Sequence, residues 1–178
     1  LGELYTDLPL PVDTPATNHC GECHACIDAC PTGAIVAPYS LDARLCISYL
    51  TIELRGPIPA HLRPLIGNHI YGCDDCQLVC PWNRFARATG ETDFQPRHAL
   101  DTSDLIRLFA GTVEEFERYP EGSANRRNGY QCWLRNIAVA LGNTPMSTDV
   151  VSALSDRANH PSGLVREHVT WALQRHVL

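Results

Sequence analysis

Residues 20–31 form the stretch Cys20-Gly21-Glu22-Cys23-His24-Ala25-Cys26-Ile27-Asp28-Ala29-Cys30-Pro31, which decides the fold. A second group of cysteines, at 73, 76 and 80, ends in the same Cys-Pro pair, and a cysteine at position 46 precedes it. Each two-residue gap spans about one coordination edge, so three successive thiolates can surround one face of a metal cluster. The proline fixes the chain direction and removes an N–H next to the last sulfur. The pattern therefore predicts two groups of four converging thiolates.

Gaps of two, two and three residues before a proline resemble the spacing in bacterial-type ferredoxins that bind two [4Fe–4S] clusters. In that topology the fourth cysteine of each motif ligates the other cluster. It assigns Cys20, Cys23, Cys26 and Cys80 to cluster one, and Cys30, Cys46, Cys73 and Cys76 to cluster two. Structural zinc is the alternative, but all-cysteine zinc sites use pairs of Cys-x2-Cys. The dense spacing also argues against a disulfide framework.

Charge is distributed unevenly along a chain whose net charge is −6. Residues 1–121 carry 8 arginines and 17 acidic residues, whereas residues 122–178 carry 6 arginines and 3 acidic residues. The acidic total argues against a nucleic-acid partner, while the basic C-terminal segment favours one. No apolar run approaches the roughly 20 residues that cross a bilayer. We expect no membrane association and, because iron–sulfur clusters are assembled in reducing compartments, a cytoplasmic location.

The sequence predicts a mainly α-helical protein with a bacterial ferredoxin-like 2[4Fe–4S] module followed by α-helical HEAT-like repeats. The predicted parts are a linker at 1–15, the two-cluster domain at 16–90 and a helical domain at 91–178. Residues 137–141 align with residues 169–173 at an offset of 32, as paired helices of HEAT-like repeats do. A plain small helical bundle is the alternative. Apolar periodicity and capping residues predict helices at Asp42–Leu54, Asn128–Leu141, Asp149–Ala158 and Leu164–Val177. They also predict a helix that starts with a capping box at Thr112 and Glu115.

Two longer runs carry a more specific resemblance, namely residues 41–53 and residues 70–85, the latter reading from Ile70-Tyr71-Gly72-Cys73 to Trp82-Asn83-Arg84-Phe85. Both are similar to the epoxyqueuosine reductase family, the cobalamin-dependent enzymes of tRNA queuosine biosynthesis. The resemblance covers nearly the whole chain and is most specific over residues 20–85. It implies an N-terminal domain, outside this sequence, that binds most of the cobalamin and carries the catalytic acid. We therefore interpret residues 1–15 as the tail of that domain and expect this chain to be inactive alone.

The resemblance also implies a reaction and a set of contacts. The reaction is the two-electron reduction of epoxyqueuosine at the tRNA wobble position to queuosine and water. The implied cofactors are two [4Fe–4S] clusters and cobalamin, and the implied partners are the tRNA and a low-potential electron donor, with a monomeric enzyme. Ser48, Thr51, Cys73 and Asp74 lie where the family's cluster domain faces corrin and substrate. Helix capping and surface polarity explain the same residue types equally well.

Arginines of the C-terminal segment are the candidates for tRNA phosphate contacts, and they are Arg126, Arg127, Arg135 and Arg166. A solvated helix surface is the alternative for any one of them. Two other functions remain open from the sequence. One is a stand-alone ferredoxin-like electron carrier, which would not need a basic helical tail. The other is part of a reductive dehalogenase-like corrinoid enzyme, which the run at residues 70–85 disfavours.

Overall fold

The computed structural model describes residues 3–96, 100, 102–118 and 123–177. The chain is mainly helical, as predicted, with one antiparallel hairpin of strands β1 (Ile35–Ala37) and β2 (Ser40–Leu41). The helices are α1 (Ala25–Ala29), α2 (Arg63–Ile66), α3 (Asp75–Leu78), α4 (Leu105–Ala110), α5 (Val113–Arg118), α6 (Tyr130–Gly142), α7 (Thr148–Asp156) and α8 (Gly163–Arg175). Short 3₁₀ turns occur at Ala43–Leu45, Pro81–Phe85, Thr92–Phe94 and Ala124–Arg127. None of the described helices has both the length and the apolar character that a bilayer crossing requires.

The cysteine-rich part is built from short elements tied together by local hydrogen bonds. Gly33 follows the first Cys-Pro pair with a φ of 63°, a left-handed conformation that favours glycine, and the chain then enters β1. The phenol oxygen of Tyr39, at the hairpin turn, accepts hydrogen bonds from the amides of His19 and Cys20, both at 3.2 Å. The hairpin thus fixes the start of the first cysteine motif.

The predicted helix Asp42–Leu54 is wrong as one continuous element. Asp42 does cap a turn, since its carboxylate accepts from the Arg44 amide, but that turn is 3₁₀ and ends at an extended Cys46. The chain then forms a π-helical turn over Tyr49–Glu53. The Thr51 hydroxyl donates to the carbonyl of Ile47 at 2.7 Å inside this turn. The extended conformation of Cys46 interrupts the predicted helix, and Cys46 is the residue whose sulfur belongs to the second group of cysteines.

Helix α6 lies at the centre of the C-terminal part and packs against α4, α5, α7 and α8. Leu134, Ile137 and Leu141 of α6 are buried against Val165 and Val169 of α8 in the main hydrophobic core. The three C-terminal helices predicted from the sequence are confirmed to within two residues at each end. Whether they form HEAT-type repeats stays a prediction.

The capping box predicted before α5 is confirmed in both directions. The Thr112 amide donates to the Glu115 carboxylate at 2.8 Å, and the Glu115 amide donates to the Thr112 hydroxyl at 3.2 Å. Each bond satisfies an N–H that has no partner within the helix. The helix therefore begins where the local sequence predicts it.

A second, smaller core joins the cysteine-rich part to the helical part. It consists of Ile47, Leu50, Ile58, Leu62 and Ile66 from the former, together with one residue of α6, Val139. Polar contacts reinforce this junction: the Asn143 side chain, at the end of α6, donates to the carbonyls of Arg63 and Gly67 at 2.8 and 3.0 Å. The helical part therefore completes the packing of the segment that carries the cysteines.

Candidate metal-cluster sites

Four cysteines line a cavity of about 230 Å³ at one end of the cysteine-rich part, and they are Cys20, Cys23, Cys26 and Cys80. A turn closed by the bond from the Cys23 amide to the Cys20 carbonyl, at 3.2 Å, presents the first two sulfurs. Helix α1 presents the third, and the residue before Pro81 supplies the last. Cys23 is exposed, so this cavity reaches the surface.

A second cavity of about 440 Å³ is lined by the other four cysteines, namely Cys30, Cys46, Cys73 and Cys76. Cys20 and Cys26 also line this cavity, so the two cavities share a wall. The packing of α1 against α3 brings the two motifs together. The structure thus groups the cysteines as the ferredoxin-like crossover predicts, while their assignment as ligands stays a prediction.

Hydrogen bonds hold the sulfur-bearing segments of the second cavity. The Ala34 amide donates to the Cys30 sulfur at 3.2 Å. The Ser48 hydroxyl accepts from the Cys73 amide at 3.0 Å and donates to the carbonyl of the same residue at 3.2 Å. Ser48 lies two residues after Cys46, so this contact links the two segments of one predicted ligand set.

The environment of the thiols differs within the second cavity. Burial acts to raise the pKa of Cys30, but hydrogen bonds from Thr32 and the Ala34 amide outweigh it and hold the pKa below its ordinary value. Burial raises the pKa of Cys73 to about 11. It also raises the pKa of Cys76, with a further contribution from the neighbouring Cys46 sulfur. Metal binding at this cavity therefore has to displace protons, at least from Cys73 and Cys76.

The donor sets fit two [4Fe–4S] clusters. All nine cysteines are described and free, and eight of them line two adjacent cavities, four at the first and six at the second, with Cys20 and Cys26 common to both. Four thiolates are the ligand set of such a cluster. The ninth, Cys132, is a small buried side chain on α6, and its sulfur lies 3.9 Å from the carbonyls of Leu54 and Arg55.

A mixed group of possible ligands overlaps the second cavity. One ligand atom each of His69, Cys73 and Asp75 lies within 4.8 Å of the others. His69 Nε2 is 3.4 Å from the Asp75 carboxylate, and Nδ1 is 2.8 Å from the carbonyl of Ile66. A single ion here would compete for the sulfur of Cys73.

The predicted corrin- and substrate-facing residues do not form a common surface. Thr51 is fully buried, and its hydroxyl donates to Ile47 and accepts from the Gly72 amide at 2.9 Å, so its prediction as a contact is wrong. Ser48 is half-buried and engaged with Cys73. Asp74 is exposed and binds the Gln77 amide group. The described residues therefore do not make up a cobalamin site by themselves.

The four predicted tRNA-contacting arginines also separate. Arg126 and Arg127 are exposed on a 3₁₀ turn, and Arg127 pairs with the Glu53 carboxylate at 2.9 Å. Arg166 is exposed and donates to the carbonyl of His160 at 2.7 Å. Arg135 has no exposed surface, so its prediction as a phosphate contact is wrong. A count of arginines does not distinguish a helix face that is solvated from one that is buried.

An exposed aromatic group beside the first cavity was not predicted. The Trp82 ring is 57% exposed, and its centroid lies 6.0 Å from that of His19 and 5.7 Å from that of Phe85. Arg84 stacks over Phe85 at 4.7 Å. Its position directly after the second Cys-Pro pair is the sequence signal that could have identified Trp82.

Comparisons with known proteins agree with this arrangement. The family described as "4Fe-4S double cluster binding domain" matches residues 19–83. The chain is 64% identical over 178 residues to the epoxyqueuosine reductase of Pseudomonas aeruginosa, covering 99% of this chain and 49% of that protein. It is 58% identical to the epoxyqueuosine reductase of Escherichia coli, covering 99% of this chain and 46% of that protein.

Solved structures give the same result. A crystal structure of epoxyqueuosine reductase with a tRNA-Tyr epoxyqueuosine-modified stem loop matches with a TM-score of 0.85 and 32% identity, over 94% of this chain and 44% of that one. The Bacillus subtilis enzyme matches with a TM-score of 0.81 and 33% identity, over 94% and 45% of the two chains. The chain spans about half the length of the curated relatives it matches. Along nearly its whole length, the chain is therefore similar to about half of an epoxyqueuosine reductase.

Proposed function

We propose that the chain is the electron-relay and tRNA-docking part of a cobalamin-dependent epoxyqueuosine reductase, an oxidoreductase that reduces epoxyqueuosine in tRNA to queuosine and water. The observation that carries the proposal is the arrangement of eight free thiols around two adjacent cavities in a chain that is similar to epoxyqueuosine reductases. Two [4Fe–4S] clusters supply one-electron transfer when bound. Cytoplasmic location and a monomeric state belong to the same proposal.

The two cavities suggest the order of electron transfer. The two cavities share the wall formed by Cys20 and Cys26, and both reach the surface, the first at the exposed Cys23 and the second at the exposed Tyr39 and Leu41. Cys23 is the one exposed thiol among the cysteines that line them. We place the entry of electrons from a low-potential donor at the first cavity. We place the exit on the side of the second cavity, where Cys73 is fixed by Ser48 and lies next to the exposed Asp74. The thiolates and their hydrogen bonds position the redox centres and limit solvent access.

The proposed cobalamin dependence rests on the resemblance to epoxyqueuosine reductases and not on this chain's own residues. Thr51 is buried and Ser48 is engaged with Cys73, so only Asp74 offers a free polar surface among the residues first considered. We propose that Cys73 and Asp74 face the corrin and substrate, while other parts of the enzyme hold the cobalamin. Ser48 keeps the role of fixing the Cys73 segment.

The tRNA partner is supported by charge and by a structural relative that holds a tRNA stem loop. Arg126 and Arg127 are exposed, and both lie on the turn that leads into α6. Arg166 extends the basic surface from α8. Guanidinium groups bind phosphate oxygens with two parallel hydrogen bonds, and their binding energy falls with added salt. The helical part, as a HEAT-like surface, is the proposed dock for the RNA backbone.

The test begins with metal content. Anaerobically purified protein should contain about eight iron and eight sulfide per chain. Serine at Cys80 should lower both values, whereas serine at Cys132 should leave them unchanged, because only the former lines a cavity. Tetrahedral zinc in place of iron would refute the redox assignment.

Turnover then separates the functions. The reconstituted holoenzyme with cobalamin and a chemical reductant should convert epoxyqueuosine in tRNA to queuosine, detected by mass spectrometry of nucleosides. Turnover of a halogenated small molecule alone would indicate a dehalogenase. Electron transfer to a protein partner without any turnover of tRNA would indicate a simple carrier.

A further inference from the structure

Arg135 is a buried cation that has no carboxylate partner among the residues that the structure describes. It lies on α6 with no exposed surface, and all five of its N–H groups donate to neutral oxygens. The acceptors are the carbonyls of Leu50, Leu54 and Gly56, at 2.9, 2.7 and 2.7 Å, and the amide oxygen of Asn136, at 3.0 and 2.8 Å. Because every donor is used, the guanidinium has no hydrogen bond left for an acidic side chain.

The contrast with Arg63 shows that this arrangement is not the only way the fold buries an arginine. Arg63 is also buried, and its guanidinium pairs with the carboxylate of Glu167. Removing a guanidinium from water is costly unless opposite charge or oriented dipoles compensate. At Arg135 the compensation within the protein comes from dipoles alone. Its positive charge therefore remains unneutralised in the interior.

The carbonyls that bind Arg135 belong to the segment that begins at Cys46. The Leu50 amide donates to the Cys46 carbonyl at 2.9 Å, and Leu50 in turn accepts from Arg135. At a helical rise of about 1.5 Å per residue, the guanidinium lies roughly 10 Å or less from the start of this segment. A charge at such a distance in a poorly solvated interior acts with little screening.

Asn136, the next residue on α6, connects the same helix to the second ligand segment. Its amide nitrogen donates to the carbonyls of Thr51 and Ile70 at 2.7 and 2.8 Å. The Thr51 hydroxyl then accepts from the Gly72 amide, directly before Cys73. Asn136 thus joins the Cys46 and Cys73 segments while its oxygen orients Arg135.

We propose that Arg135 is the buried countercharge of the cluster bound by Cys30, Cys46, Cys73 and Cys76, that it raises the reduction potential of that cluster, and that Asn136 is its positioning residue. A cluster ligated by four thiolates carries negative charge, which increases on reduction, and net charge is one of the factors that set its potential. A fixed cation nearby stabilises the reduced form. The inference rests on the proposed ligand assignment.

The experiment is an EPR-monitored redox titration of the anaerobic holoprotein, in which each cluster titrates as its own step. Replacing Arg135 by methionine removes the charge, and Asn136→Asp places a carboxylate on the Nε and Nη2 donors of the retained arginine, which neutralises it. Both variants should lower the reduction potential of one cluster, the one beside Arg135, and leave the potential of the other cluster unchanged. Arg135→Lys keeps the charge and should stay closer to the parent protein.

The matched control is Arg157→Gln. Arg157 also binds backbone carbonyls, those of Phe109 and Gly111, but within the helical part, so its loss should move neither step. Asn136→Asp also removes the donors to the Thr51 and Ile70 carbonyls, so it supports the result but does not decide it. Should Arg135→Met not fold, Arg135→Gln, which removes the charge and keeps an amide donor, decides the question. An unchanged potential in the uncharged Arg135 variant, or a lysine variant that shifts as far as that variant does, overturns the inference. An iron content near four, with one step in the parent protein, would instead refute the ligand assignment.

Discussion

His168 makes the junction between the two parts of the chain sensitive to pH. Its side chain is fully buried on α8, where Nδ1 donates to the Leu164 carbonyl at 2.8 Å and Nε2 accepts from the Ile58 amide at 3.1 Å. Because Nε2 is an acceptor, the ring is held as the neutral Nδ1–H tautomer. Protonation would place an N–H against the amide of Ile58 and a charge in the interior.

Burial lowers the pKa of His168 to about 4 from the ordinary 6.5. The charged groups that face it are Arg63 and Arg135, which lower the pKa further, and Glu167, which acts in the opposite direction together with the hydrogen bond to Leu164. Since the unfolded chain binds the proton more tightly, this contribution is fully present above pH 6.5 and is lost as the pH falls towards 4. The difference of about 2.5 units corresponds to about 3 kcal/mol, of which about 2 kcal/mol is lost by pH 5.

The assay is chemical denaturation of the anaerobic holoprotein at pH 7 and pH 5, with iron content measured at both. The free energy of unfolding should fall by about 2 kcal/mol more in the parent protein than in His168→Gln, whose amide does not titrate. The exposed His61 provides the control, and His61→Gln should behave as the parent protein does. Equal losses in the parent and His168→Gln would refute this role for the histidine.

Three further perturbations test the packing, the RNA surface and the ligand set. Gly142→Ala should cost about 1–3 kcal/mol of stability in thermal denaturation, because the new Cβ would lie 2.6 and 2.9 Å from atoms of α8. Gly163→Ala should cost less, because its Cβ would meet only the tip of a side chain at 3.6 Å. Equal costs for the two variants would contradict the close approach of α6 and α8. Alanine at both Arg126 and Arg127 should weaken tRNA binding and reduce the slope of log K against log salt by about 2, and an unchanged slope in a binding titration would remove both from the interface. Cys80→Ser should reduce iron from about eight towards about four per chain, whereas a full complement would contradict its place in the first ligand set.

The sequence predicts best where chemistry ties residue type to spacing. The two cysteine motifs gave the sets that line the two cavities, because the number of residues between thiolates limits which sulfurs can converge. The capping box at Thr112 and Glu115 is similarly local and was confirmed. In both cases the partners lie a few residues apart or belong to a repeated motif, so no knowledge of the tertiary packing is needed.

The errors concern residues whose partners are distant in sequence. Thr51 was predicted to face corrin and substrate from the family resemblance, and Arg135 was predicted to contact phosphate from its charge. Thr51 instead binds Ile47 and Gly72 within the cysteine-rich part, and Arg135 binds carbonyls across the junction. The Arg135 carbonyl partners lie about 80 positions away along the chain. The helix predicted over Asp42–Leu54 failed for a related reason, since Cys46 adopts an extended conformation within it. Local apolar spacing does not report such constraints.

Helix α6 shows why the domain boundary predicted from the motifs differs from the division seen in the packing. Residues 132–142 are buried without interruption, so the helix presents no solvated face over three turns. A helix that is buried on all sides packs against other parts of the protein in every direction. One side packs against α8 in the main core, while Val139, Arg135 and Asn136 complete the packing and hydrogen bonding of the cysteine-rich segment. The predicted division at residue 90 separates motifs, whereas α6 supplies contacts to both sides of it. The helix that packs against α8 is therefore connected, through two adjacent side chains, to the segments that carry Cys46 and Cys73.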